Sequence, residues 1–137
     1  MIIFDTKYTI QMDKKRARAK YSDGNKEVEV SISIFLWEEE SIFYVYSPAL
    51  DLTGYGLSEE EARKSFETVL HEFIVYTHNK KTIFSELEKL GWAVNKRKKR
   101  VISPDFEDLL SENEHFKHLY KTQNLVRDSS NVNLQLV

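Results

Sequence analysis

The segment KEVEVSISIFLW, residues 26–37, alternates without a break. Val28, Val30, Ile32, Ile34 and Leu36 fall on one side of an extended chain, and Glu27, Glu29, Ser31, Ser33, Phe35 and Trp37 on the other. A helix repeats about every 3.6 residues and would scatter that pattern around its axis, so the run predicts a strand with one face buried. Such a strand needs neighbours for its backbone groups. After the acidic turn Glu38–Glu40, the segment SIFYVYS (41–47) supplies an antiparallel partner, short, rich in aromatic and branched residues, and stopped by Pro48. Upstream, Asp23-Gly24 suits the positive φ angles of a tight hairpin. RARAKY (16–21) then becomes a further strand, although its alternating Arg and Ala equally fit a helix.

Ser58 followed by Glu61 forms a capping box, and Ala62, Phe66, Val69, Leu70, Phe73 and Thr77 recur at helical spacing behind it. This predicts one long amphipathic helix over 58–78. A second, short helix is expected from Thr82, with Ile83, Leu87 and Leu90 on one face and Gly91 as its stop. Beyond Trp92 come a basic run, Ser103-Pro104, DFEDLL, and a second capping box at Ser111 and Glu114 opening a helix to about Lys121. The final NVNLQLV (131–137) alternates again and fits a terminal strand. The expected fold class is α+β: an antiparallel sheet of three to four strands packed against one long helix, with a short helical C-terminal extension. Residues 1–95 read as the domain, best supported over 26–95. Residues 96–137 read as a basic linker and a helical or extended tail, not an independent domain.

A chain of 137 residues with 41% hydrophobic residues can bury a core as one domain without staples. It has no cysteine, which excludes disulfides and thiolate metal sites. The N-terminus MIIFDTKYT carries Asp5 and no basic stretch leading into an apolar one, so it does not read as a secretory signal, and the chain reads as cytoplasmic. No apolar run approaches the ~20 residues that span a bilayer, so no membrane partner is expected. The net charge of −2 leaves nucleic-acid binding to a local patch.

The stretch SPALDLTGYGLSEEEAR (47–63) has the outline of an active-site loop: a strand, Gly54 and Gly56, then a helix start. A phosphate cradle needs free amides and an unneutralised helix dipole. Here Glu59, Glu60 and Glu61 fill the first turn, so the dipole is already satisfied and an anion would meet three like charges. The glycines therefore read as turn residues. Asp51 could join a metal-binding carboxylate cluster with Glu27 and Glu29, or could bond its own turn backbone. His71 and His78 lie on the long helix, and His115 and His118 on the later one, without a zinc-protease pattern. No catalytic, cofactor-binding or metal-binding residue is assigned, and the chain is read as not an enzyme.

Two surface features remain. Lys96, Arg97, Lys98, Lys99 and Arg100 form the densest charge cluster and could bind phosphate oxygens of DNA or RNA, or simply be a solvated connector. Phe35 and Trp37 share the outward face of the first strand, and Tyr44 and Tyr46 share one face of the second. These aromatics could stack on bases, anchor a protein partner, or form ordinary core if helices cover both sides of the sheet.

The succession Ser47-Pro48, Leu50-Asp51, Gly54, Gly56, Ser58 and Glu61-Ala62 resembles the HicB antitoxin family over residues 26–95. Members run from a strand ending in Pro-x-Leu through a glycine turn to a Thr/Ser-x-x-Glu-Ala helix. The resemblance implies a partial, degraded ribonuclease H-like fold without catalysis. It implies a type II antitoxin that covers a small basic HicA-type mRNA-cleaving toxin; the chain is expected to be a homo-oligomer, a dimer or tetramer, held through a sheet edge or the tail. Phe35, Trp37, Tyr44, Tyr46 and Asp51 are the partner-binding candidates. Neither a helix-turn-helix nor a ribbon-helix-helix is legible between Val101 and Val137, so binding of operator DNA or RNA would fall to residues 96–100.

Overall fold

The computed structural model describes residues 18–22 and 25–136. The Asp23-Gly24 turn, the N-terminal segment read for targeting, Arg16 and Val137 lie outside the described residues. The order of elements is β1 (Arg18–Ser22), β2 (Asn25–Glu39), β3 (Ile42–Ser47), β4 (Leu52–Gly56), α1 (Glu59–Lys80), α2 (Ile83–Lys89), β5 (Ala93–Asn95), β6 (Arg100–Ile102), α3 (Phe106–Glu112), α4 (Glu114–Thr122) and β7 (Val126–Leu136). The class is α+β.

The long alternating segment is the spine of a five-stranded sheet. A strand offers hydrogen bonds along two edges only. β7 pairs antiparallel with Lys26–Leu36 along one edge of β2. β1 pairs with residues 25–29 and β3 with residues 35–39, so these two lie end to end along the other edge. β4 follows β3, with Phe43 opposite Gly56 and Ser47 opposite Leu52. The tail is therefore no appendage: its last strand supplies the longest pairing that β2 makes.

The alternation sorts two faces. On one, Val28, Val30, Ile32, Ile34, Leu36, Val45, Val132 and Leu134 are buried, and α1 lies across them. Its buried residues Ala62, Phe66, Leu70 and Thr77 form a single stripe. Gly54 and Gly56 belong to strand β4 and are not turn residues. A Cβ added at Gly54 would meet the backbone of Phe66, its Cα at 2.5 Å, and one at Gly56 would meet Glu61 Cβ at 2.5 Å and Ala62 N at 2.9 Å. Their purpose is steric, since a missing side chain lets helix backbone settle onto strand backbone.

The opposite face is covered by α3 and α4. The sheet is thus sandwiched, which decides the fate of the aromatic residues below. Helix α4 opens at Asn113, whose Oδ1 accepts from Phe116 N at 2.9 Å. Ser111 does not open it: this residue lies inside α3, where its hydroxyl donates to Asp108 O. The amide of asparagine both caps and reaches outward, which a serine hydroxyl is too short to do. The basic run is not a linker either. Lys96–Lys99 form the turn of the β5–β6 hairpin, closed by Lys98 N donating to Asn95 Oδ1 at 3.0 Å and Lys99 N donating to Lys96 O at 3.3 Å.

Candidate functional site

The five partner-binding candidates come to three different places. Phe35 and Tyr46 are 3% and 1% exposed. Phe116 of α4 sits 4.9 Å from the Phe35 ring and 6.4 Å from Tyr46, and Phe106 of α3 sits 6.3 Å from Phe35. Neither ring is available to a partner, because the tail helices occupy the face that β2 and β3 present. Asp51 lies at the β3–β4 turn, at the end of β3 away from Glu38–Glu40. It bonds no turn backbone: Oδ1 accepts from the Tyr46 hydroxyl at 2.7 Å, and its backbone is left-handed with φ 55°. Asn113 Nδ2 donates to the same hydroxyl at 3.0 Å. Burial, and next the hydrogen bond to the Asp51 carboxylate, push the Tyr46 hydroxyl well above the ordinary phenol range. The Tyr46–Asp51–Asn113 network ties strand, turn and cap together and is a structural lock.

Trp37 and Tyr44 remain, at the other end of the sheet beyond the helical cap. Register puts Tyr44 opposite both Trp37 and Tyr55. The Trp37 and Tyr44 rings stack with centroids 5.0 Å apart and planes 15° apart, and Tyr55 continues the row at 6.4 Å. Tyr55 is 64% exposed, and Leu57 just beyond it 71%. The indole N–H of Trp37 is buried with no hydrogen-bond partner among the described residues. A groove of about 380 Å³ opens beside these rings, with Trp37, Phe43, Tyr44, Glu38, Glu59 and Arg63 on its walls.

Charge collects around this end. Glu38, Glu39 and Glu40 are exposed at the β2–β3 turn, and Glu59, Glu60 and Glu61 are exposed in the first turn of α1. The register that sets Phe43 opposite Gly56 brings both glutamate triplets to the same end of the sheet. Glu40 and Ser41 both have positive φ, 53° and 68°, the pattern of a tight primed hairpin turn in residues that do not favour it. Amides that a phosphate would need are already engaged: Leu57 N donates to Glu61 Oε1 at 3.0 Å, and Tyr55 N to Ser65 Oγ at 3.2 Å. Ser58 Oγ accepts from Glu61 N at 3.1 Å. Arg63 bridges Glu59 and Asp128 at the start of β7, each at 3.0 Å. Partial burial works against its charge, yet the hydrogen bonds to Glu59 and Asp128 prevail and raise its pKa.

The basic hairpin tip exposes Lys96, Arg97, Lys98 and Arg100 and half-buries Lys99. His71 and His78 border a groove between α1 and β7, and His115 packs edge-on against Tyr46 at 5.0 Å. Among the described residues no three His, Cys, Asp or Glu side chains gather where they could hold a metal ion. Glu27 Oε2 accepts from Gln135 Nε2 at 3.2 Å across β7, so it does not join Asp51. No described helix is long and apolar enough to cross a membrane.

Sequence reasoning missed Tyr55, Leu57 and the meeting of the glutamate triplets. The signal lay in the register, since Tyr55 follows from pairing β4 onto β3 as β3 pairs onto β2. Comparison with known protein families, with curated proteins and with solved structures finds no match to this chain.

Proposed function

We propose that the chain is a non-enzymatic binding protein of the cytoplasm that neutralises a small basic toxin of the mRNA-cleaving HicA type, as a HicB-like antitoxin built on a degraded ribonuclease H-like scaffold. One observation carries the reading: six exposed glutamates surround the aromatic row Trp37–Tyr44–Tyr55 and exposed Leu57 at one end of the sheet. Trp37 is buried behind Tyr44, and Tyr44, Tyr55 and Leu57 with the six glutamates beside them suit a protein surface of positive charge, where the rings supply contact area and the charges orientation and association rate. The Pro48-to-Ala62 corner supports the same reading. It ends one strand and opens a capped helix as the family resemblance implies, with strand β4 standing where the resemblance has a glycine turn.

The test is co-expression with the product of the adjacent reading frame. A small basic protein there should co-purify with this chain, and the complex should weaken as salt rises. Reversal of Glu38, Glu39 and Glu40 to lysine should abolish both complex and rescue of growth while leaving the circular dichroism unchanged. A neighbour that encodes no such protein, or one that forms no complex, overturns the reading.

A second reading rests on the β5–β6 hairpin, which exposes Lys96, Arg97, Lys98 and Arg100 with Lys99 half-buried among them and could follow a phosphate backbone of operator DNA or RNA. It requires strongly salt-dependent binding that is lost when Lys96–Arg100 are neutralised.

A further inference from the structure

We infer that the groove at the start of α1 is a receptor for a single arginine side chain of the protein partner. Which protein supplies the arginine rests on the antitoxin reading above; the receptor itself is a property of this chain.

The groove follows from where α1 begins. Strand pairing sets Leu36 opposite Val126 and Glu38 opposite Phe43. Leu36 and Glu38 are two apart along β2, so all four residues point to the α1 side of the sheet. Helix α1 starts only at Glu59, and its first buried residue is Ala62. An alanine fills little space, and a groove of about 380 Å³ stays open over Leu36, between Phe43 and Val126. Val126 is 53% exposed and Phe43 only partly buried.

The charges at the rim do not balance. Glu38, Glu59 and Arg63 stand on the walls. Arg63 already donates through Nε to Glu59 Oε2 and through Nη2 to Asp128 Oδ2, both at 3.0 Å. The other oxygen of Glu59 and both of Glu38 have no hydrogen-bond partner among the described residues. Three carboxylates thus meet one guanidinium, and two negative charges are left over.

An apolar floor under a carboxylate rim is the reverse image of a long basic side chain, whose stem is apolar and whose head is charged. Arginine suits it better than lysine. Its planar fork of donors can serve Glu38 and Glu59 together, and its flat face stacks on a ring such as that of Phe43. An anion would be repelled by the same carboxylates, and a wholly apolar occupant would take water from them and return no donor. Arginine is also among the residues that most often anchor protein interfaces.

Titration of the full, isotope-labelled chain with the blocked tripeptide acetyl-Gly-Arg-Gly-amide, followed by nuclear magnetic resonance, tests the receptor without the toxin. Saturable shifts should appear at the amides of Glu38, Phe43 and Ala62. The Trp92 indole N–H, held by Ala49 O at the far end of β3, should not move. The lysine tripeptide should bind several-fold more weakly. The citrulline tripeptide, which keeps the shape and loses the charge, should be weaker by about tenfold or more. Glu38→Gln should weaken arginine binding about fivefold, with an unchanged circular dichroism spectrum. Equal affinity for lysine would mean attraction by the general acidic field, and equal affinity for citrulline an apolar slot; either result overturns the proposal, as does the absence of shifts at the groove. In the complex with the basic partner, Glu38→Gln alone should raise the dissociation constant about tenfold. A complex that forms while the peptide fails to bind refutes the receptor and not the antitoxin reading. Arginine binding with no toxin complex supports the receptor and refutes that reading.

Discussion

The two faces of the sheet are closed by different kinds of contact. On the α1 face the closing pieces follow one another along the chain, from β3 through β4 into α1, residues 42–80. The decisive approach there is backbone against backbone, with Gly54 and Gly56 leaving no room for another atom. On the α3–α4 face the pieces come from far apart. Phe35 and Tyr46 wait for Phe106 and Phe116, and Arg127 of β7 lies over the Phe35 and Phe106 rings at 5.8 and 5.1 Å. That face is a cluster of interlocking rings, worth their buried area plus about 0.5–1.5 kcal/mol per favourable ring pair. The contrast teaches that one face should tolerate no addition and the other no removal.

The largest effect expected is on the aromatic face. Phe116→Ala should lower unfolding stability in urea by about 4 kcal/mol, through lost burial and the cavity left between Phe35 and Phe106. A loss under about 1 kcal/mol would mean that the tail helices close over the gap, and the contrast between faces would fail.

Next comes the opposite operation. Glycine to alanine inside a strand is ordinarily favourable by about 0.5–1 kcal/mol. Gly54→Ala should instead cost about 3 kcal/mol, because the colliding atoms are helix backbone and cannot rotate away. A neutral result in the same urea titration would show that α1 can slide.

Tyr46 sharpens the comparison at the lock between sheet and cap. Tyr46→Phe should cost about 1 kcal/mol near neutral pH, the usual net worth of a buried hydrogen bond. Its signature is in the pH dependence. The folded state holds this proton more tightly than the unfolded chain, whose tyrosines titrate near about pH 10. Wild-type stability is therefore at its full value below that pH and falls as pH rises through the raised folded value. The phenylalanine variant should lack this alkaline decline in thermal melts buffered across that range.

The smallest effect expected lies at the acidic end, outside both faces. Glu40→Asn with Ser41→Gly should raise stability by about 1 kcal/mol, since these residues accept positive φ at both turn positions. If the strained pair is kept for partner contact, the same variant should bind the basic partner proposed above less tightly.

Much of the α1 face is legible in the sequence because its information is local. The alternation of 26–37, the stop at Pro48 and the capping box at Ser58 each concern residues within one turn or one strand. The long helix expected over 58–78 accordingly runs from Glu59 to Lys80. The C-terminal alternation pointed to a strand, which begins earlier than expected, at Val126. The candidate site was less legible. Of its five expected residues, Phe35 and Tyr46 are roofed over, Asp51 is held by Tyr46, and only Trp37 and Tyr44 lie at the acidic end.

What the amino-acid sequence determined by itself is the period of each segment, and with it which residues must share a side. Period is set by backbone geometry, which neighbours along the chain dictate. Only the tertiary structure decided what covers each side. Whether an aromatic row becomes core or contact surface depends on where a segment 60 to 100 residues later comes to rest, and no local pattern carries that information. The same holds for Gly54 and Gly56, whose meaning changes from turn to docking point once the helix behind them folds back. Cross-strand register then gathers into one charged end the two glutamate triplets, each of which by sequence already suits a basic partner.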